Sequence, residues 1–237
     1  MIRDCFKGAS QMLKIIGSTG LALVLLTGVA VAGDDWVPSG FEGFYAGVHT
    51  GYAKGTLGDS GSPAAYPNVS LDGAFVGGQA GYNFVLRNGI VAGIQGDLGW
   101  ANEKGSSGPT GMTIGPVHHA TLDDTITWTG SLTGRVGATM GGAMLYGLAG
   151  IAAAGNSLTN SGDDGLGGAT PVEANVTNTH FGFTVGAGAA ALSGPFEAFV
   201  EYRFTNYGNA DYAAAVGPGK VDLLNQSVRV GLNYHMY

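Results

Sequence analysis

Glu197-Ala198-Phe199-Val200-Glu201-Tyr202-Arg203-Phe204 puts Glu197, Phe199, Glu201 and Arg203 at odd positions and Ala198, Val200, Tyr202 and Phe204 at even ones. A repeat of two is the period of a β-strand, whose side chains alternate between faces. One face of this strand is wholly apolar. The other carries three charges in eight residues.

The same alternation recurs on both sides of this stretch. Toward the C-terminus, Val228, Val230, Leu232, Tyr234 and Met236 alternate with Ser227, Arg229, Gly231, Asn233 and His235. Toward the N-terminus, Phe181, Phe183, Val185, Ala187 and Ala189 alternate with Gly182, Thr184, Gly186 and Gly188. Farther upstream, Ile126, Trp128, Leu132 and Val136 oppose Thr127, Thr129, Ser131, Thr133 and Arg135. Ile90, Ala92, Ile94, Leu98 and Trp100 oppose Gln95 and Asp97. Val76, Ala80, Tyr82 and Phe84 oppose Gln79, Gly81 and Asn83, and Phe44, Ala46, Val48, Thr50 and Tyr52 oppose Tyr45, Gly47, His49 and Gly51. An eighth segment, Ala143 to Ala153, is apolar on both faces, and Met144, Tyr146 and Leu148 are assigned to its outer face.

Eight strands of this kind predict an all-β fold. Their connections alternate between long (near 53–72, 101–125, 154–179 and 205–223) and short (near 86–89, 137–142 and 192–195). The first short connection carries Asn88-Gly89, a hairpin dipeptide. Tight turns alternating with long loops predict an eight-stranded antiparallel up-and-down barrel that spans a membrane. With an even strand count, both termini share the end that bears the short turns, which is expected to face the periplasm.

The polar faces decide which way such a barrel is turned. Asp97, Glu197 and Glu201 are matched in number by Arg135, Arg203 and Arg229. Facing hydrocarbon, each arginine would cost roughly 2–4 kcal/mol at mid-depth, and each acid somewhat less. Unpaired inside, each would cost several kcal/mol. These six residues are therefore expected to form a paired charge network in the lumen, with the apolar faces toward lipid. Glycines opposite the large inward residues fit an interior just wide enough for side chains. Aromatics near strand ends, such as Phe44, Tyr52, Trp100, Trp128 and Tyr234, suit interfacial girdles.

Composition agrees. Of 237 residues, 11% are charged, 45% are hydrophobic and 44 are glycine, a chain too apolar for disorder. Past the first 32 residues there is no apolar run long enough for a membrane helix. Those 32 residues read as a signal peptide: Arg3, Lys7 and Lys14, then the apolar Leu21–Val31, then Ala30-Val31-Ala32 as a cleavage site. Met1 and Met12 both remain possible starts. The domain plan is a signal peptide (1–32), a periplasmic N-terminal segment (33–42) and an outer-membrane β-barrel domain (43–237). The single cysteine, Cys5, lies in the leader, so the exported part forms no disulfide.

Phe41-Glu42-Gly43-Phe44-Tyr45-Ala46-Gly47 resembles the opening strand of small surface-antigen barrels of alphaproteobacteria, the outer-membrane immunogenic or porin-family proteins related to the OmpA-type transmembrane barrel. Gly77–Asn83, Gly93–Leu98, Gly130–Gly137, Val200–Phe204 and Val228–Tyr234 resemble their second, third, fourth, seventh and eighth strands. The resemblance implies an eight-stranded barrel that is a structural protein, an antigen or at most a narrow pore. It also implies that Tyr234, Met236 and Tyr237 act as a C-terminal signal for the barrel-assembly machinery. Family members usually open with Trp where this chain has Phe41. They end in a Phe at the position of Met236, so the terminal aromatic, Tyr237, is shifted in facing.

Beyond residue 32 the chain has 7 Lys+Arg and 16 Asp+Glu. Acids gather in the segments read as loops: Asp59, Asp72, Glu103, Asp123, Asp124, Asp163, Asp164, Glu173, Asp211 and Asp222. An acidic rim excludes nucleic acid as a partner. No GxSxG, HExxH or P-loop motif occurs, His118-His119 lacks a third spaced ligand, and His49 and His235 read as polar lumen lining. No catalytic, cofactor or metal residue is assigned. The expected partners are outer-membrane lipid and lipopolysaccharide, with the assembly machinery during insertion, and any host or surface ligand is unidentified. The expected function is structural display of acidic loops without enzymatic activity; the alternative is a narrow channel for ions or small solutes.

Overall fold

A computed structural model describes residues 40–59, 69–86, 89–107, 118–163, 172–211 and 220–236. The leader, the Asn88 turn residue, Asp164 and Tyr237 lie outside the described residues. Eight strands are present: β1 (Gly43–Asp59), β2 (Val69–Val85), β3 (Ile90–Ser107), β4 (His118–Met140), β5 (Ala143–Asp163), β6 (Val172–Ser193), β7 (Phe196–Asp211) and β8 (Lys220–Met236). Each pairs antiparallel with its sequence neighbour, and β8 pairs with β1 to close the barrel.

The register fixes the shape. One row of paired residues runs from Phe44 through Tyr82, Ile94, Gly134, Ala149, Val185, Phe204 and Gln226, and returns to β1 at Lys54. The row has climbed ten residues in one circuit. A stagger of that size over eight strands requires the strands to tilt by about 40° from the barrel axis.

The faces alternate as the sequence pattern predicts on six strands and on β4 from Trp128 onward. Val48 is 63% exposed and His49 3%. Turns are tight at one end, where Gly141-Gly142 joins β4 to β5 and Gly194-Pro195 joins β6 to β7. Gly141 (φ 63°) and Gly194 (φ 57°) sit at the first turn position, where a positive φ suits a II′ hairpin and a side chain would be strained.

Three expectations are corrected. Met144, Tyr146 and Leu148 of β5 point inward, while Leu145 and Ile151 face out. Register decides this: Leu148 pairs with the inward Arg135 and with Gly186, so the neighbours impose their parity on an ambiguous strand. Ile126 also points inward, because the β4–β5 register slips between Ile126 and Trp128 and leaves both Thr127 and Trp128 facing out. Finally, strands of 16 to 23 residues run deep into the segments read as loops. Of the supposed loop acids, Asp59, Asp72, Glu103, Asp123, Asp124, Asp163, Glu173, Asp211 and Asp222 lie in strands, and Glu103 is buried inside the barrel.

Candidate functional site

The barrel interior is layered. At the turn end it is apolar: Phe41, Met144, Tyr146, Leu148 and Phe199 form one buried cluster with Val91 and Ala190. Phe41 precedes β1, yet it is fully enclosed. Its carbonyl accepts a hydrogen bond from Asn83 Nδ2 at 2.8 Å, and its ring stands edge-on to His235. These rings fit because the facing strands carry glycine. A Cβ at Gly231 would collide with the Phe199 ring, and one at Gly188 with Tyr146.

The six charges assigned to the lumen lie in the next layer. Arg203 Nη1 donates to Asp97 Oδ2 at 2.9 Å and Arg203 Nε to Glu201 Oε1 at 2.5 Å. Arg229 reaches the same two carboxylates at 3.2 and 3.4 Å. Arg135 Nη1 lies 3.5 Å from Glu197 Oε1, and its guanidinium is held between the rings of Tyr45 and Tyr146. Every one of these charged side chains is at least nine-tenths buried. In so enclosed a space an unmatched charge costs several kcal/mol, and the ladder of opposite charges avoids that cost.

Neutral groups join the two halves of the network. Arg229 Nη2 lies 3.2 Å from His49 Nε2, and an arginine can only donate, so Nε2 accepts and the ring proton is on Nδ1. Nδ1 then donates to Gln79 Oε1 at 3.1 Å, and Gln79 Nε2 donates to Asn233 Oδ1. Asn233 Nδ2 donates to Glu197 at 3.0 Å, and His235 Nε2 lies 2.7 Å from the other oxygen of Glu197. Tyr146 Oη donates to Glu201 at 3.0 Å, and Ser131 Oγ to Asp97 at 2.6 Å.

Sequence reasoning missed Tyr146 as a member, because β5 offered no polar marker of its inner face. It also missed Glu103, which accepts from Asn225 Nδ2 at 2.6 Å inside the barrel. The alternation of β3 past Trp100 was the available signal, since Glu103 shares the parity of Asp97.

Beyond the ion pairs, toward the long-loop end, lies a cavity of about 40 Å³ lined by Asp97, Glu103, Arg203, Arg229, Tyr207 and Asn225 among others. It has room for roughly three waters. Arg203 Nη2 and Arg229 Nε have no partner among the described residues, and water in this space is their natural acceptor. Among the described residues, no group of His, Cys, Asp and Glu is arranged to hold a metal. Of the residues expected to form a C-terminal signal, Tyr234 and Met236 face outward, each about half exposed.

The outer surface is a band of exposed apolar residues, including Phe44, Val48, Ile94, Leu132, Val200 and Leu232. With ion pairs inside and this band outside, the barrel is built for hydrocarbon surroundings.

Residues 19–235 match the family model of the outer membrane protein β-barrel domain. The chain is 31% identical over 199 residues to a 22 kDa outer membrane protein of Rhizobium leguminosarum bv. viciae, covering 82% of this chain and 78% of that protein. It is 33% identical over 218 residues to a 31 kDa outer-membrane immunogenic protein of Brucella melitensis biotype 1, covering 82% and 83%. Among solved structures it is similar to Neisserial surface protein A, with 16% identity, a TM-score of 0.44, and 82% and 98% of the two chains covered.

Proposed function

The chain belongs to the outer membrane protein β-barrel domain family and resides in the outer membrane, and from that premise we propose that it is a structural, non-enzymatic barrel with a closed lumen. The observation that carries this reading is the stacking of two seals in series. The ring cluster of Phe41, Tyr146 and Phe199 fills the turn end, and the arginine–carboxylate layer fills the middle. A solute entering from the long-loop end meets a cavity of about 40 Å³ and then the ion pairs. Conduction would require both layers to open.

The histidines fit a structural role. His49 and His235 are engaged by Arg229, Gln79 and Glu197 inside the barrel, away from any surface a macromolecular substrate could reach. The strands exceed the 9–11 residues needed to cross a bilayer, so the barrel wall continues past the membrane at the long-loop end. In this reading that extension displays the acidic residues outside the cell, while the turn end faces the periplasm. Residues 1–32 direct export, and Tyr234, Met236 and Tyr237 are read by the assembly machinery.

Planar-bilayer recording of the refolded barrel tests the closed lumen. The expected trace is flat at ordinary holding potentials. Steady single-channel steps that grow in Phe199→Ala or change in Asp97→Asn would establish the narrow-channel reading instead.

A further inference from the structure

The outer face carries a polar row that the lumen network does not use. Lys54 of β1 pairs with Asp72 of β2, which pairs with Lys104 of β3, so the three residues sit side by side on consecutive strands. All three are exposed and face outward. Among cations whose side chains are described, the three arginines are enclosed, and these two lysines alone are on the outside. Neither ammonium pairs with a described residue. Asp72 instead accepts a hydrogen bond from the Tyr52 hydroxyl, on the side of the row nearer the apolar band.

The height of the row is set by the register. Lys54 is ten residues beyond Phe44, about 33 Å of strand at roughly 3.3 Å per residue, which a tilt of about 40° reduces to a depth of ~25 Å. That depth equals the apolar band of an outer-membrane barrel, about 25 Å. The tilt lifts each successive strand by about 3 Å, so Lys104 stands slightly higher than Lys54. Tyr52 and Trp100, both exposed, mark the aromatic level just below. The two lysines thus stand where acyl chains give way to headgroups. They are two strand spacings apart, about 10 Å, a gap their long side chains can close around one anion.

We propose that Lys54 and Lys104 bind a phosphate on the headgroup of an outer-leaflet glycolipid. The inference rests on the outer-membrane reading given above. Charge complementarity and level select this occupant. A phosphate is the anion available at the junction of acyl chain and sugar, and an aqueous protein partner would have to reach below the rim to contact Lys54. Asp72, between them on β2, is engaged by the Tyr52 hydroxyl, and the register sets the spacing of the lysines.

The test uses the barrel refolded in detergent with EDTA present, titrated with bisphosphorylated lipid A or with the same lipid after dephosphorylation. Lipid adducts are counted by native mass spectrometry, and folding is followed by the heat-dependent gel shift of an intact barrel. Wild type is expected to favour the phosphorylated lipid, with a loss of roughly tenfold or more in Lys54→Gln/Lys104→Gln and retention in Asp72→Asn. Equal adducts in the double lysine variant, or equal binding of the dephosphorylated lipid, would overturn the assignment. So would a double variant that fails to fold, since both positions would then be structural. A wild-type protein lacking the heat-dependent shift would instead defeat the barrel reading itself.

Discussion

Arg203 Nη1 lies 2.9 Å from Asp97 Oδ2, a bond that crosses the barrel interior from β7 to β3. The strands are not neighbours in the sheet, so the contact braces the wall from inside. Asp97 also accepts from Arg229 and from Ser131, which makes it the counter-charge shared by two arginines.

Removing that carboxylate should therefore cost more than removing an arginine with an alternative partner. Asp97→Ala leaves Glu201 as the one carboxylate shared by Arg203 and Arg229 and is expected to destabilise the barrel by roughly 3–5 kcal/mol. Arg135→Ala should cost less, because Glu197 keeps His235 and Asn233. Urea unfolding of the barrel refolded in lipid vesicles, followed by tryptophan fluorescence, measures both. An unchanged midpoint for Asp97→Ala would mean that the charges are not enclosed.

Tyr146 ties the apolar plug to the ion layer. Its hydroxyl donates to Glu201, and its ring lies over Gly188. Tyr146→Phe should cost about 1.5–3 kcal/mol, the range for a hydrogen bond to a charged group. Gly188→Ala should cost about 1–3 kcal/mol by overpacking. A new Cβ there would lie 2.6 Å from the Tyr146 ring and 2.8 Å from the Val200 carbonyl, and backbone cannot step aside as a side chain can. If Gly188→Ala unfolds like wild type, the ring is not seated as described.

The facing of β5 is open to chemical labelling in a Cys5→Ser background. Leu145→Cys should react with a membrane-soluble maleimide, and Met144→Cys should be protected until the barrel is unfolded. The opposite pattern would restore the outer assignment of Met144, Tyr146 and Leu148.

That strand shows where sequence reading stops. Faces were legible wherever one was polar, as with Glu197, Glu201 and Arg203 opposite Val200 and Tyr202. Both faces of Ala143–Ala153 are apolar, and the rule that apolar residues face lipid then chooses wrongly, because this lumen has an apolar floor of its own. Tyr146 belongs inside because Glu201 needs a donor and Gly188 leaves room, facts that only the register supplies. The slip at Thr127 turned Ile126 inward without any glycine or proline to announce it. Glu103 reads as a loop acid only if β3 ends near Trp100; its parity with Asp97 marks it as inward.

The outer band makes a prediction that depends on depth. Val48 is 63% exposed and lies four residues above Phe44, near the middle of the band, whereas Tyr52 lies at its upper edge beside the Lys54 row. Arginine in hydrocarbon costs about 2–4 kcal/mol at the midplane and about 0–1 kcal/mol near the interface. Val48→Arg should therefore lower stability by the larger amount. Tyr52→Arg should cost little, since its guanidinium can reach the headgroups and the lost contact to Asp72 is exposed. Paired urea titrations in vesicles read the difference directly. Equal costs at the two positions, or no cost at either, would place Val48 in water rather than lipid and invert the barrel's two faces.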